Sequence, residues 1–242
     1  MLLPLSFGTF FIALSAAASF FPQGYDWRVH VISKLTSPVD NPEAYWIANV
    51  GIMMTMIFAL PFAGYVQRRL LPITPRIASV AGVTFALGFI VMAISMLAQL
   101  AEPLIGLHKL HTYLAQTAAV FFMVGMICCS ASAIRDRVRA LGGRAALPTP
   151  LASFWAGLTL VPIAVLTTIL LLLVLGGPAE EIRQSFRHTP MWHLAFWEWI
   201  GTLLACAFLT GSVALLPIPR EQPRSPRNVT VLSTEKTPVS SL

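Results

Sequence analysis

The sequence predicts an all-α, polytopic membrane bundle of six helices with both termini in the cytoplasm. Three observations carry that expectation. Hydrophobic residues make up 56% of the 242 and charged residues only 11%, against about 25% charged in a typical soluble domain. Such a chain cannot build a polar surface. Six stretches are long and apolar enough to cross roughly 30 Å of hydrocarbon, which takes about 20 residues in a helix. Lys and Arg, lastly, are distributed unevenly among the connections.

The six stretches are 2–21, 44–67, 77–100, 112–134, 151–175 and 191–217. The second, third and fourth contain no Lys, Arg, Asp or Glu. Lipid offers the backbone no hydrogen-bond partner, so these runs must satisfy their own amides as helices. The first stretch ends in small residues, Ala16 to Ser19, as a secretory signal does. It has no Lys or Arg before Arg28, and a signal begins with a basic segment, so a retained first helix is expected.

Orientation follows from the basic residues. Three fall in 68–76, four in 135–144 and four after Pro217, whereas the other three connections share five. The positive-inside rule then puts the termini and the two Arg-rich connections on the cytoplasmic side. The net charge of +6 largely reflects this bias. The basic residues lie at helix ends and not in an aromatic-laced groove, so no nucleic-acid partner is expected. Arg135, Arg137, Arg139 and Arg144 admit two readings, a topology signal or a seat for anionic lipid headgroups.

Residues 218–242 are rich in Pro, Ser and Thr and poor in large apolar side chains, the composition of a disordered tail. Its Asn228-Val229-Thr230 matches a glycosylation sequon, but a cytoplasmic tail would not meet that machinery. Cys128, Cys129 and Cys206 do not make a disulfide framework. Small apolar packing and palmitoylation of Cys128 or Cys129 are the two readings for the first pair.

All five histidines and seven of the ten acids fall on the outer side of this topology. The positive-inside rule barely touches Asp and Glu, so it does not explain the clustering. Wet loops collect polar groups without any function. A site at the outer helix ends would also collect them.

Three local features bear on that choice. His108 and His111 stand one helical turn apart where the fourth span opens, a spacing that offers two imidazoles to a zinc ion or a base with its orienting neighbour. His193 and Glu198 stand at the mouth of the sixth span, about 140° apart on a helix, so they serve different neighbours. An acid within a span is costly to expose to lipid and points to function, although Trp192, Trp197 and Trp199 also read as an interfacial belt. The first outer loop carries Asp26, His30, Asp40 and Glu43, and Val29, Ile32 and Leu35 could form one side of a short surface helix roofing the bundle. The other reading of that loop is a solvated connector.

The run HVISKLTSPVDNPEAYWIANVGIM, then LHKLHTYLAQTAAVFF, then HLAFWEWIGTLLACAF resembles the six-span family of the DRAM autophagy modulators, the FRAG-type proteins of GPI-anchor lipid remodelling and the yeast Sfk proteins. A bacterial six-span family of unknown function has a similar loop. The matching residues are Ile32-Ser33, Pro42-Glu43, His111 and Glu198-Trp199, within 25–211; Lys34 departs from the acid usual there. The resemblance implies a multi-pass protein of the plasma, inner or an internal membrane that acts on or senses lipids at its outer face. His111 or His193 would then be the proton carrier and Glu198 its partner, with Asp26, His30, Asp40 and Glu43 around the pocket. The absence of a Gly-x-Ser-x-Gly motif disfavours a usual serine hydrolase. The alternatives are a zinc-dependent lipid amidase of the alkaline-ceramidase type, a haem bundle using His111 and His193, and a non-enzymatic structural or regulatory protein. Transport is disfavoured, since no charge lies at mid-membrane and no symmetric pair of broken helices is evident.

Overall fold

Apolar runs flanked by Arg, Pro and Gly form the helices of the computed structural model, which describes residues 2–106, 109–140, 143, 145–160 and 194–216. The elements are α1 (Leu3–Ser19), α2 (Ile32–Thr36), α3 (Tyr45–Ala59), α4 (Pro61–Leu70), α5 (Pro75–Ile105), α6 (Leu110–Arg139), α7 (residues 149–160) and α8 (Leu194–Leu215). No strand occurs among the described residues.

Among the described residues, four helical stretches are long and apolar enough to cross a membrane: Tyr45–Leu70, Pro75–Leu104, Leu110–Arg139 and Glu198–Leu215. α1 is a shorter apolar helix of 17 residues. The chain is therefore a helical membrane protein. The Tyr45–Leu70 stretch runs through α3 and α4 with a break at Leu60-Pro61, where Pro61 has no N–H to donate. α5 and α6 run past the expected apolar stretches, because a helix continues through its basic or polar ends while apolar counting stops there. α7 covers the expected fifth stretch only as far as residue 160, and the remainder of that stretch lies outside the described residues, as do His108, His188, His193 and the tail 218–242.

Packing relies on small residues, as expected where lipid is as apolar as the side chains. α1 crosses α3 so closely that a Cβ on Gly51 would stand 2.0 Å from the Ala13 Cβ. α5 and α6 exchange knobs reciprocally. Phe122 of α6 sits over Gly88 of α5, and Phe85 of α5 sits over Gly125 of α6. One core gathers Phe62, Phe85, Phe208 and Trp155, with the Trp155 ring stacked on Phe208 at 6.1 Å between centroids. The Trp155 indole donates to Ser212 Oγ at 2.8 Å, tying α7 to α8. A second core, around Phe10, Leu14, Ile32, Leu35, Ala48 and Ile52, lies under the first loop.

The Arg-rich end is stitched by its own charges. Asp136 accepts from the N–H groups of Ala146 (3.1 Å) and Leu147 (2.8 Å), Arg137 donates to Leu147 O and Thr149 Oγ1, and Arg139 donates to Ile73 O. Arg137 and Arg139 thus hold connecting loops in addition to any topological or lipid role. Cys129 is fully buried in the first core, which favours packing over lipidation at that position. Cys128 packs half-buried against the same core.

Candidate functional site

The site begins with a five-residue helix that cannot satisfy itself. α2 needs partners for its first N–H groups and last carbonyls, because a single turn closes almost no internal bonds. Its N-cap residue, Val31, is extended and has no side chain able to cap. Glu198 of α8 supplies the missing acceptor. Glu198 Oε2 takes the Ile32 N–H at 2.7 Å and, more weakly, the Ser33 N–H at 3.4 Å, while Ser33 Oγ donates to Oε1 at 3.4 Å.

The other end of α2 is held by two buried asparagines. Asn49 Nδ2 donates to Thr36 O at 2.7 Å and to Tyr45 O at 2.8 Å; Asn41 Nδ2 donates to Leu35 O at 3.3 Å and to Ala17 O at 3.1 Å. Ile32 and Leu35 are buried under this short helix, so the expected roof exists. Val29, expected on the same side, is 48% exposed, because the turn at residues 27–30 precedes α2 and does not share its face.

Beneath α2 lies a cavity of about 530 Å3 reached by residues of α1, α2, α3, α5, α6, α7 and α8. Five of the nine methionines, Met56, Met92, Met96, Met123 and Met126, line it together with Phe7, Phe10, Phe85, Phe89, Phe122 and Phe208. Ser33, Thr36, His111, Glu198 and Thr202 are among its polar residues, and all five come from the α2 end of their helices or from α2 itself. Ser6 and Thr55 also line it, and each hydroxyl donates to the other residue's carbonyl, Ser6 at 3.0 Å and Thr55 at 3.3 Å.

His111 is fixed by α5. Its Nδ1 lies 3.0 Å from Ser95 Oγ and 3.4 Å from Ser95 O, and Ser95 Oγ also donates to His111 O at 2.9 Å. An Nδ1 facing a carbonyl oxygen is best satisfied as a donor, so the network assigns the proton to Nδ1 and leaves Nε2 an acceptor. Buried Gln99 and Glu102 are hydrogen-bonded to each other at 2.8 Å one turn further along α5, with Glu102 within electrostatic reach of His111.

Of the residues singled out in the sequence, His111 and Glu198 reach the same cavity. Asp26, His30, Asp40 and Glu43 do not line it. Asp26 Oδ1 accepts the Arg28 N–H at 2.9 Å, and the His30 ring packs at 5.1 Å from Phe21 and 5.8 Å from Tyr25. Asp40 is half-buried with its N–H on Ser37 Oγ, and Glu43 is exposed. Among the described residues no three His, Cys, Asp or Glu side chains converge as a metal site. His108, the other half of the proposed zinc pair, lies outside them, as does His193.

Tyr25 is a neighbour of the Glu198 carboxylate that the sequence did not single out. Its hydroxyl donates to His30 O at 2.9 Å, and burial first, then the nearby Glu198 carboxylate, pushes its pKa up to about 12. The Trp199 indole pulls the other way, although its buried N–H makes no hydrogen bond of acceptable geometry. The chain matches no protein-family model, no curated protein and no solved structure.

Proposed function

We propose that this is a six-span membrane protein of the DRAM/FRAG-like type, with cytoplasmic termini, that binds a membrane lipid in the cavity beneath α2 and so acts on or senses lipids at the outer face. One observation carries the reading: a cavity of about 530 Å3 with an apolar body and its ionisable groups, Glu198 and His111, at one end. Pockets of 300–1,000 Å3 with few, placed polar groups are the usual form of small-molecule sites. Methionine-rich walls adapt to chains of varied shape.

The cavity's depth suits a lipid tail. Its lining on α8 runs from Glu198 to Leu209, roughly 16 Å at 1.5 Å per residue, which is about half of a hydrocarbon core. Ala119 of α6 and Gly201 and Ala205 of α8 line the cavity and are exposed. At those residues, therefore, the cavity is reached from outside the bundle, where acyl chains would surround a spanning protein. The plasma or inner membrane is the favoured setting.

The test is lipid retention. Protein purified in mild detergent should release a bound amphiphile on denaturing extraction, and Ala119→Trp, which places an indole across the side opening, should lose it while keeping its thermal transition. Equal retention by the two proteins would defeat the reading.

A further inference from the structure

Among the described residues, the polar end of the cavity accepts hydrogen bonds and offers almost none. Every described hydroxyl there already donates elsewhere. Ser33 Oγ donates to Glu198 Oε1 at 3.4 Å, Thr36 Oγ1 to Ser33 O at 2.8 Å, and Thr202 Oγ1 to Glu198 O at 2.8 Å. Ser95, behind His111, donates to His111 O at 2.9 Å and so presents only its oxygen lone pairs to the ring.

The acceptors, by contrast, are not exhausted. An ionised carboxylate has about four lone-pair positions; Glu198 uses two on Oε2 and one on Oε1, all toward α2. One position on Oε1 is left. The His111 tautomer set by Ser95 leaves Nε2 as a second acceptor. No Lys or Arg is among the described lining residues, and the described partners of Glu198 are neutral N–H and O–H groups.

A half-buried carboxylate with no cation among the described residues is an incomplete arrangement, since charges taken from water need pairing. An anionic head would meet acceptors and a like charge there. A cationic, donating head would complete the site.

Resting on the lipid-binding reading above, we propose that the cavity selects a long-chain amphiphile with a positively charged, hydrogen-bond-donating head, a primary amine or amino alcohol, seated between Glu198 Oε1 and His111 Nε2. Fatty acids and phosphate-headed lipids are the classes it rejects. The deep wall, Met, Phe and Ala, takes the chain without regard to its detailed shape.

Four probes with one sixteen-carbon chain separate the head from the tail: hexadecylamine, hexadecanol, palmitate and hexadecyl phosphate. Each would displace a fluorescent amphiphile from the full-length protein in nanodiscs of neutral lipid. Because a charge-assisted hydrogen bond contributes about 1.5–3 kcal/mol, the amine should bind at least about tenfold more tightly than either anion, with the alcohol between. Glu198→Gln keeps an acceptor oxygen for α2; it should erase most of the amine's advantage and change hexadecanol binding less than about threefold. Palmitate or hexadecyl phosphate binding as tightly as the amine would overturn the proposal, as would an amine advantage that survives Glu198→Gln. Should that variant fail to fold, the wild-type ranking decides alone. Binding with the wrong head order defeats only the head assignment. Failure of all four probes defeats the lipid reading with it.

Discussion

The Ile32 N–H and the Glu198 carboxylate meet at 2.7 Å although 166 residues separate them in the chain. That bond makes the first loop and the last described helix one structural unit. It also places an acid where it has two tasks, to cap α2 and to face the cavity.

Replacing Glu198 by Leu therefore costs stability as well as any binding. The variant leaves the Ile32 N–H without its acceptor, and losing a hydrogen bond to a charged group costs about 2 kcal/mol. Glu198→Gln, which keeps the acceptor but not the charge, should lose less. Thermal unfolding of the three proteins in one detergent checks the order; Gln no better than Leu would mean that the cap carries no energy.

The C-terminal end of α2 is expected to matter about as much. Asn49 is fully buried and its amide serves both Thr36 O and Tyr45 O. Asn49→Leu strands the Thr36 carbonyl, at about 1–3 kcal/mol for a buried unsatisfied group. Hydrogen exchange at residues 32–37 should rise in this variant while the α5–α6 pair keeps its protection.

How far the sequence reveals this arrangement differs from part to part. Long apolar runs made the spans legible, since Pro75–Leu104 and Leu110–Arg139 enclose the expected stretches 77–100 and 112–134, and Tyr45–Leu70 covers all of 44–67 but its first residue. The roof was legible too, from Ile32 and Leu35 before the second span. The partner of Glu198 was not, because capping across helices leaves no local spacing to read. Nor was the separation of Asp26, His30, Asp40 and Glu43 from the cavity: clustering on one side of a bilayer says nothing about convergence in the plane. Ser95 carried a signal only in hindsight, as one small polar residue in an apolar run.

Close packing of α1 on α3 gives a prediction independent of the site. Gly51 lies against Ala13, and a methyl group there would stand 2.0 Å from the Ala13 Cβ. Both partners are backbone-anchored, so the helices must separate. Gly51→Ala should cost about 1–3 kcal/mol, the usual penalty of overpacking. The double change Gly51→Ala with Ala13→Gly should recover most of it, read as the thermal midpoint of each protein.

Tyr25 gives the pH dependence. Its pKa rises from 10.0 to about 12 in the folded protein, chiefly through burial and secondarily through the Glu198 carboxylate, while Trp199 opposes the shift. The folded state thus holds the phenolic proton more firmly than the unfolded chain does. A raised pKa contributes stability that is complete below the unfolded value and fades as pH climbs through the folded one. Between about pH 10 and 12, then, wild-type protein should lose stability that Tyr25→Phe does not, because phenylalanine has no proton to release. At pH 8 the variant should be the weaker of the two, since it lacks the bond to His30 O. Thermal midpoints of both proteins at pH 8, 10 and 11.5 should show the gap narrowing as pH rises. A gap that stays constant would mean that Tyr25 ionises in the folded protein as readily as it does in the unfolded chain.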